Sequence, residues 1–366
     1  MPVWKGRRRV GNGGDDLGDM KMQEHLEKEL PQVAVVLLNW NGWRDTIDCL
    51  ESLLMVKDVN FEIVLVDNGS SDDSVKMIDN WIELHNIPKF KFSQPQEQKL
   101  AAEESSNNQI GLQRVVLYSL QENIGFCAGN NLGLRHTLAN SIPYALILNN
   151  DTLVDPGFLS SLTDYAQLHQ DAGLISGQIR YAEDPKRIWW MGGSANKWLK
   201  FEYLHQNQPA EEHLKEPFPT DWVSGCMTLI PMAVFLKIGG YDERFFIWCD
   251  EWDLSLKAAK AGYKLAVVPT SIIYHKVGRT LGIISPLTYY YSARNLLVLR
   301  HNYLSSLNQI LFFSVYFPYK SIQSFFFTMR YHKPYYIFCI DIFYDFIFNH
   351  YGKWRRHDDV VKNMRK

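Results

Sequence analysis

Three segments of the chain carry side chains able to do chemistry. The first is Asn149-Asn150-Asp151, which ends the apolar run Tyr144–Leu148. A hard carboxylate there suits a divalent cation that neutralises a phosphate leaving group. Asp155-Pro156 follows at once and is the better cap for the next helix, which leaves Asp151 available. The second runs from Phe245 to Leu254 and contains Asp250, Glu251 and Asp253 at the start of a helix expected to run to Ala261 and stop at Gly262. Acids stabilise a first helical turn by about 0.3–1 kcal/mol, which is reason enough for such a cluster. Aromatic and apolar flanks, however, also raise a carboxyl pKa toward that of a general base. The third, Ser271-Ile272-Ile273-Tyr274-His275, places a histidine at the end of an apolar stretch. That suits a structural role, or a metal or phosphate contact.

The elements that must position these residues read as an α/β fold. Val33–Leu38, Phe61–Val66, Val115–Leu120 and Tyr144–Leu148 are strands, with helices at Trp43–Met55, Ser74–Leu84 and Asn130–Asn140 between them. Runs apolar on both faces that alternate with helices predict a mostly parallel, doubly wound sheet whose ligand crevice lies at the carboxyl ends of the strands. Residues 93–114 read as an exposed polar insertion. Each strand end is polar: Asn39 and Asn41, Asp67 and Asn68, Asn123 and Gly125, Asn149 and Asn150. One such end would be an ordinary turn. Four in one sheet converge on a ligand site, to which Asn130 of the following helix is added. The first strand lacks the GxGxxG loop of dinucleotide enzymes.

Composition narrows the class. Of 366 residues, 46% are apolar and 21% charged, and the net charge of -2 offers no pull toward nucleic acid. Five scattered cysteines fit neither a disulfide framework nor a zinc site and point to a reducing, cytoplasmic setting. No apolar segment separates Arg7–Arg9 from Val33, so a secretory signal is not expected. Three regions result: a polar, disordered 1–30, a catalytic 31–302 and an aromatic-rich helical 303–366. In the last, the uncharged stretch Tyr303–Tyr319 is too short to span a membrane, and Lys353, Arg355, Arg356, Lys362, Arg365 and Lys366 follow. This suits an in-plane anchor on the cytoplasmic face of a membrane, or a homo-oligomer contact. Between 181 and 225, Trp190, Trp222 and Gly225 are candidates for a saccharide acceptor, because sugar C–H faces stack on aromatic rings; core packing is the alternative.

The ordered set Asp67-Asn68-Gly69-Ser70, Asn123-Ile124-Gly125-Phe126, Asn149-Asn150-Asp151-Thr152, Gly239-Gly240-Tyr241-Asp242, the acid cluster and Tyr274-His275 resembles the inverting family 2 glycosyltransferases, in their rhamnosyltransferase-like and galactofuranosyltransferase-like branch. The resemblance covers residues 33–300. It implies a GT-A fold, a nucleotide-diphosphate sugar donor carrying rhamnose or another hexose, Mg²⁺ or Mn²⁺, a saccharide or lipid-linked saccharide acceptor, and a setting in polysaccharide biosynthesis. It makes Asp67 the contact to the donor's base or ribose, Asn149 and Asp151 the outer positions of the DXD motif, Asp151 and His275 metal ligands, and Glu251 the base. The chain departs from the family in having Asn-Asn-Asp for DXD and Asp250-Glu251 where Glu-Asp or Asp-Asp is usual, so Asp250 and Asp253 remain alternatives for the base. Tyr289–Asn295 is similar to the family's Arg-Asn segment, which makes Arg294 a candidate for the diphosphate or for an ion pair. Two other classes compete. A sugar nucleotidyltransferase would carry a Gly-rich basic loop at Asn39–Arg44, and a non-catalytic membrane scaffold would tolerate the asparagine-rich DXD.

Overall fold

The computed structural model describes residues 32–93, 110–210, 215–277 and 285–364. The disorder expected over 1–30 and most of the polar insertion lie outside the described residues. The first half alternates as expected: β1 (Val33–Asn39), α1 (Trp43–Leu53), β2 (Phe61–Asp67), α2 (Ser74–Leu84), β3 (Lys89–Phe92), β4 (Leu112–Ser119), α3 (Phe126–Ala139) and β5 (Tyr144–Asn149). β1 lies between β2 and β5, β2 pairs with β4, and all these pairings are parallel. Every residue of β2 is buried, and its one charge within the apolar run, Glu62, is paired with Arg114 and His136.

The second half adds β6 (Thr152–Val154), α4 (Phe158–Leu168), β7 (Ala172–Tyr181), β8 (Ile188–Trp190), the hairpin β9 (Gly193–Ala195) and β10 (Phe201–Tyr203), then β11 (Phe218–Pro219), β12 (Met227–Pro231), α5 (Met232–Ile238), α6 (Asp250–Lys260) and β13 (Lys264–His275). The main sheet runs β11-β13-β7-β12-β5-β1-β2-β4-β3, with β12 antiparallel to β5. Four helices close the chain: α7 (Pro286–Tyr303), α8 (Ser306–Tyr331), α9 (Tyr335–Ile347) and α10 (His357–Met364).

Three elements differ from the sequence reading. β3 is a four-residue edge strand of alternating Lys and Phe, too short to stand out from its polar surroundings. α3 starts at Phe126, not Asn130, because Gly125 turns the chain into the helix at φ +93°. A Cβ at Gly125 would lie 2.6 Å from the Phe246 ring. β13 continues past Val268 to His275, since a register shift between Val268 and Ile272 absorbs Pro269, which has no N–H for the ladder.

The C-terminal helices are not a separable appendage. Tyr290 and Tyr291 of α7, Tyr335 and Ile342 of α9 and Trp354 form a second buried core together with Phe246, which precedes α6. The Trp354 ring stacks on Tyr290 at 4.2 Å between centroids. Truncation after Asn302 would therefore expose several large aromatic side chains whose burial is worth about 1.5–3 kcal/mol each. The expected result is loss of the cooperative thermal transition seen by circular dichroism. A truncated protein that melts like the full chain would show the second core to be dispensable.

Candidate active site

The carboxyl ends of β1, β2, β4 and β5 meet, and their polar side chains bond chiefly to one another. Asn39 donates to Asp67 Oδ1 at 2.7 Å and accepts from the Thr46 hydroxyl at 2.8 Å, and Asn150 donates to the same hydroxyl oxygen. Ser70 donates through Oγ to Asp67 Oδ1 at 2.6 Å and through its backbone N–H to Oδ2 at 3.1 Å. Burial raises the Asp67 carboxyl despite these donors. Asn41 accepts from the N–H groups of Ser71 and Asp72. Asn68 donates to Asn123 Oδ1 and the Gly125 carbonyl and accepts from the Ile124 N–H, so it shapes the 123–125 loop from within. Asn130 is a correction: it is buried and donates to the Phe126 carbonyl one turn back on its own helix, so it does not face the crevice. The crevice, about 490 Å³, is lined by Trp40, Asn41, Gly69 and Asn123 on one side and by Lys353 and Lys362 on the other. These two lysines belong to the segment around α10, and the sequence reading did not assign them to this site.

Next to it, β6 pairs antiparallel with the end of β13, which brings Asp151 and His275 together. His275 Nε2 lies 3.2 Å from Asp151 Oδ1, and both side chains are nearly buried. Burial alone would raise the carboxyl, but His275 and Lys276 outweigh it and hold Asp151 low. Burial would lower the imidazole, and the neighbouring Cys226 and Asp151 outweigh it and raise His275. At this distance the raised imidazole and the low carboxylate form an ion pair, and a cation held by both side chains would have to displace the proton on Nε2. His275 Nδ1 is buried without a hydrogen-bond partner, and the Trp189 ring meets the imidazole edge-on at 4.6 Å. Asn149 donates its backbone N–H to the Cys226 carbonyl, which ties this pair to the segment before β12. No cluster of three or more His, Cys, Asp or Glu side chains suited to a metal is found among the described residues.

The acid cluster separates into three different environments. Asp253 Oδ1 accepts from the Tyr303 hydroxyl at 2.9 Å, and Oδ2 pairs with Lys257 Nζ at 2.8 Å, so this carboxylate is committed to structure. Burial and the adjacent Glu251 charge push Asp250 well above the usual carboxylate range. Glu251 is half-buried; burial pushes it up to about 7, partly offset by its backbone N–H and by a hydrogen bond from Asp250. Both carboxyls of the pair therefore hold protons to higher pH than ordinary carboxyls do. A Cβ at Gly225 would lie 3.7 Å from Glu251 Cβ, 3.8 Å from the Phe126 ring and 3.9 Å from Asp250 Oδ2, so Gly225 adjoins the pair.

The geometry moves three other residues out of the roles the sequence suggested. Trp190 and Trp222 are 0% and 1% exposed and pack against each other at 5.6 Å, so neither ring offers a face to a sugar. The aromatic rings open to solvent nearby are Tyr203 and Trp248, at 40% and 38%. Arg294 is wholly buried, all three of its guanidinium nitrogens donate, to the carbonyls of Gly352 and Arg244 and to Asn295 Oδ1, and no acid pairs with it among the described residues.

Comparison with known proteins identifies this arrangement. The model of glycosyl transferase family 2 matches residues 34–235, and that of glycosyl transferase family group 2 matches residues 144–348. The chain belongs to glycosyl transferase family 2. An N-acetylglucosaminyl-diphospho-decaprenol L-rhamnosyltransferase of Mycobacterium tuberculosis is 26% identical over 156 residues, 37% of this chain; the chain spans about half, 48%, of that relative. The dTDP-rhamnosyl transferase RfbF of Shigella flexneri is 22% identical over 55% of this chain and 69% of its own length. Among solved structures, GalNAc-T7 with UDP, GalNAc and Mn²⁺ is similar at a TM-score of 0.55 with 18% identity, over 88% of this chain and 58% of its own. The mannosyltransferase PcManGT of Pyrobaculum calidifontis, in complex with GDP-Man and Mn²⁺, is similar at 0.50 with 15% identity, over 92% and 95%. The fold is GT-A, as the motif order implied.

The raised Glu251 carboxyl has a consequence for stability. A carboxyl that binds its proton more tightly when folded stabilises fully below its ordinary value of 4.5 and loses that contribution as pH rises to about 7. Glu251→Gln does not titrate. Its melting temperature relative to the parent chain should therefore climb between those two pH values and level off above. A difference flat with pH would place Glu251 in water with an ordinary pKa.

Proposed function

We propose that this protein transfers a hexosyl group, rhamnose being the sugar named in its relatives, from a nucleotide-diphosphate donor to a hydroxyl of a saccharide or lipid-linked saccharide, with inversion. One observation carries the reading: Gly225 adjoins Asp250 and Glu251, and the next residue, Cys226, adjoins the Asp151–His275 pair, so two acid sites flank one short segment. The donor's nucleoside occupies the crevice lined by Trp40, Asn41, Gly69 and Asn123, which the buried Asn39–Asp67 pair supports from beneath. Glu251 takes the proton as the acceptor O–H bond breaks, the acceptor oxygen bonds to the anomeric carbon, and the nucleoside diphosphate leaves with the electron pair of the broken C–O bond. One displacement inverts the anomeric centre. Asp250 holds the Glu251 carboxylate by donating to it and has no proton-accepting role of its own. Mg²⁺ or Mn²⁺ held by Asp151 and His275, with diphosphate oxygens completing its shell, would neutralise charge on the leaving group. Such a cation would take the part that the general acid plays in a glycosidase, so the diphosphate could depart unprotonated.

Glu251→Gln should lower turnover roughly 10²–10⁴-fold with donor affinity nearly unchanged, and the parent's rate should rise with pH up to the Glu251 pKa. Asp253→Asn should keep far more activity, its loss tracking lowered thermal stability. The reverse ranking would assign the base to Asp253. Asp151→Ala should cost at least about 10²-fold, the scale of several kcal/mol of charge stabilisation. Full activity of Asp151→Ala in EDTA would remove the metal from the mechanism.

No helix among the described residues is long and apolar enough to cross a membrane. α8 nonetheless exposes Leu307, Ile310, Leu311, Val315, Ile322, Phe325, Phe326 and Met329, each about half exposed or more. Between Ser306 and Met329 its one charged residue, Lys320, turns inward to Gln323 and over the Tyr289 ring. An uncharged face of this length supports peripheral attachment to a membrane surface.

A further inference from the structure

Where α8 meets the β9–β10 hairpin, an open trough of about 510 Å³ is lined by Leu311, Phe312, Val315, Tyr319, Trp198 and Arg300. Its walls are apolar except for Arg300. The guanidinium lies over the Phe312 ring at 4.1 Å. Its Nη2 donates to the Leu199 carbonyl at 3.3 Å, and its Nε is buried with no hydrogen-bond partner. Among the described residues no carboxylate pairs with it, whereas Arg114, Arg244, Arg355 and Arg356 each bond to one. A half-buried cation without an acid, in an apolar trough that opens along the exposed face of α8, lacks an anion that arrives with an apolar chain.

We propose that this trough binds the phosphate end of a long-chain membrane lipid, with Arg300 on the phosphate and the chain along α8. The proposal deepens the transferase reading and rests on it for its biological purpose: the lipid would be the carrier of the acceptor saccharide. Charge complementarity selects the phosphate, and the apolar walls beside Arg300 select an acyl or prenyl chain over a free anion. One hairpin links the trough to the base. Its turn supplies the Leu199 carbonyl to Arg300, while Phe201 stacks at 4.4 Å on Trp252, the residue after Glu251. Tyr203 of the same hairpin lies close enough to Glu251 for that charge to add to desolvation in raising its phenol. A phosphate held at Arg300 thus sits on the element that borders the acid helix.

The full-length protein would be sedimented with phosphatidylcholine vesicles alone, with the same vesicles carrying a few mole per cent of a long-chain prenyl phosphate, and with phosphatidylglycerol at matched charge. Binding to neutral vesicles should reflect the α8 face, and the prenyl phosphate should tighten it by about tenfold, far more than phosphatidylglycerol does. Arg300→Gln should lose that increment and keep neutral binding. Ser314→Trp, which fills the trough from its exposed rim and leaves Arg300 in place, should lose it too, so the test survives if Arg300→Gln folds poorly. An increment retained in Arg300→Gln or Ser314→Trp, or matched by phosphatidylglycerol, overturns the site. If the parent protein never binds vesicles and instead forms a concentration-dependent oligomer, the α8 face belongs to a second copy and the proposal fails. Donor hydrolysis is read separately without lipid and should be equal in the parent and Arg300→Gln. Its absence in the parent overturns the transferase reading, not the lipid increment.

Discussion

The segment from Arg244 to Cys249 holds the site together, and it is held in a conformation it would not adopt alone. Trp248 and Cys249 are consecutive left-handed residues, at φ 74° and 64°, immediately before the acid helix. Each costs an L-residue with a side chain about 1–2 kcal/mol. Asn295 stabilises the turn by donating to the carbonyls of Ile247 and Trp248 at 2.7 and 2.8 Å, and Arg294 donates to that of Arg244. From the other side, the Phe126 N–H donates to the Phe246 carbonyl at 2.7 Å. One short segment is thereby clamped between the donor loop and α7, and the direction in which α6 projects Glu251 follows from it. The Arg-Asn pair that resembles a ligand-binding motif braces the turn before the acid helix.

Two carboxylate sites a few residues from the same segment, 225–226, are driven in opposite directions. Asp151 has His275 and Lys276 near it and stays ionised. Asp250 and Glu251 have burial and each other, and no cation bonds to them among the described residues, so their protons are retained to higher pH. Opposed environments for two acids are how a fold separates a charge-stabilising role from a proton-transfer role. The arrangement has a stability cost, because an acid kept out of water at the helix start would be better replaced by a neutral side chain everywhere except in the reaction.

The C-terminal helices join this chemistry to a surface. α7 supplies the clamp and α9 completes the second core. The segment around α10 places Lys353 and Lys362 on the donor crevice, and α8 turns its uncharged face outward. A region whose composition reads as an accessory is thus part of the donor side, the base support and the proposed lipid contact at once.

The parallel half of the sheet, the polar strand ends, Asp151 with His275, and the Asp250–Glu251 pair were all legible in the sequence. Strands buried on both faces are mostly apolar, with the buried charges Glu62 and Arg114 paired to each other, and residues at their ends are polar where they face a crevice. The sequence left three things open that packing decided. A Trp on a sugar and a Trp in a core have the same composition around them, and only the fold buries Trp190 and Trp222. Asp250, Glu251 and Asp253 share one helical turn and differ in their neighbours: Lys257 is near in sequence, but Tyr303 lies fifty residues away and the burial comes from other elements. Arg294 could serve a diphosphate or a backbone, and the choice was made by carbonyls at Arg244 and Gly352 that approach it only after α7 has packed. Local pattern specifies which residues can react; which of them does depends on desolvation and on long-range partners, and both exist only in the folded chain.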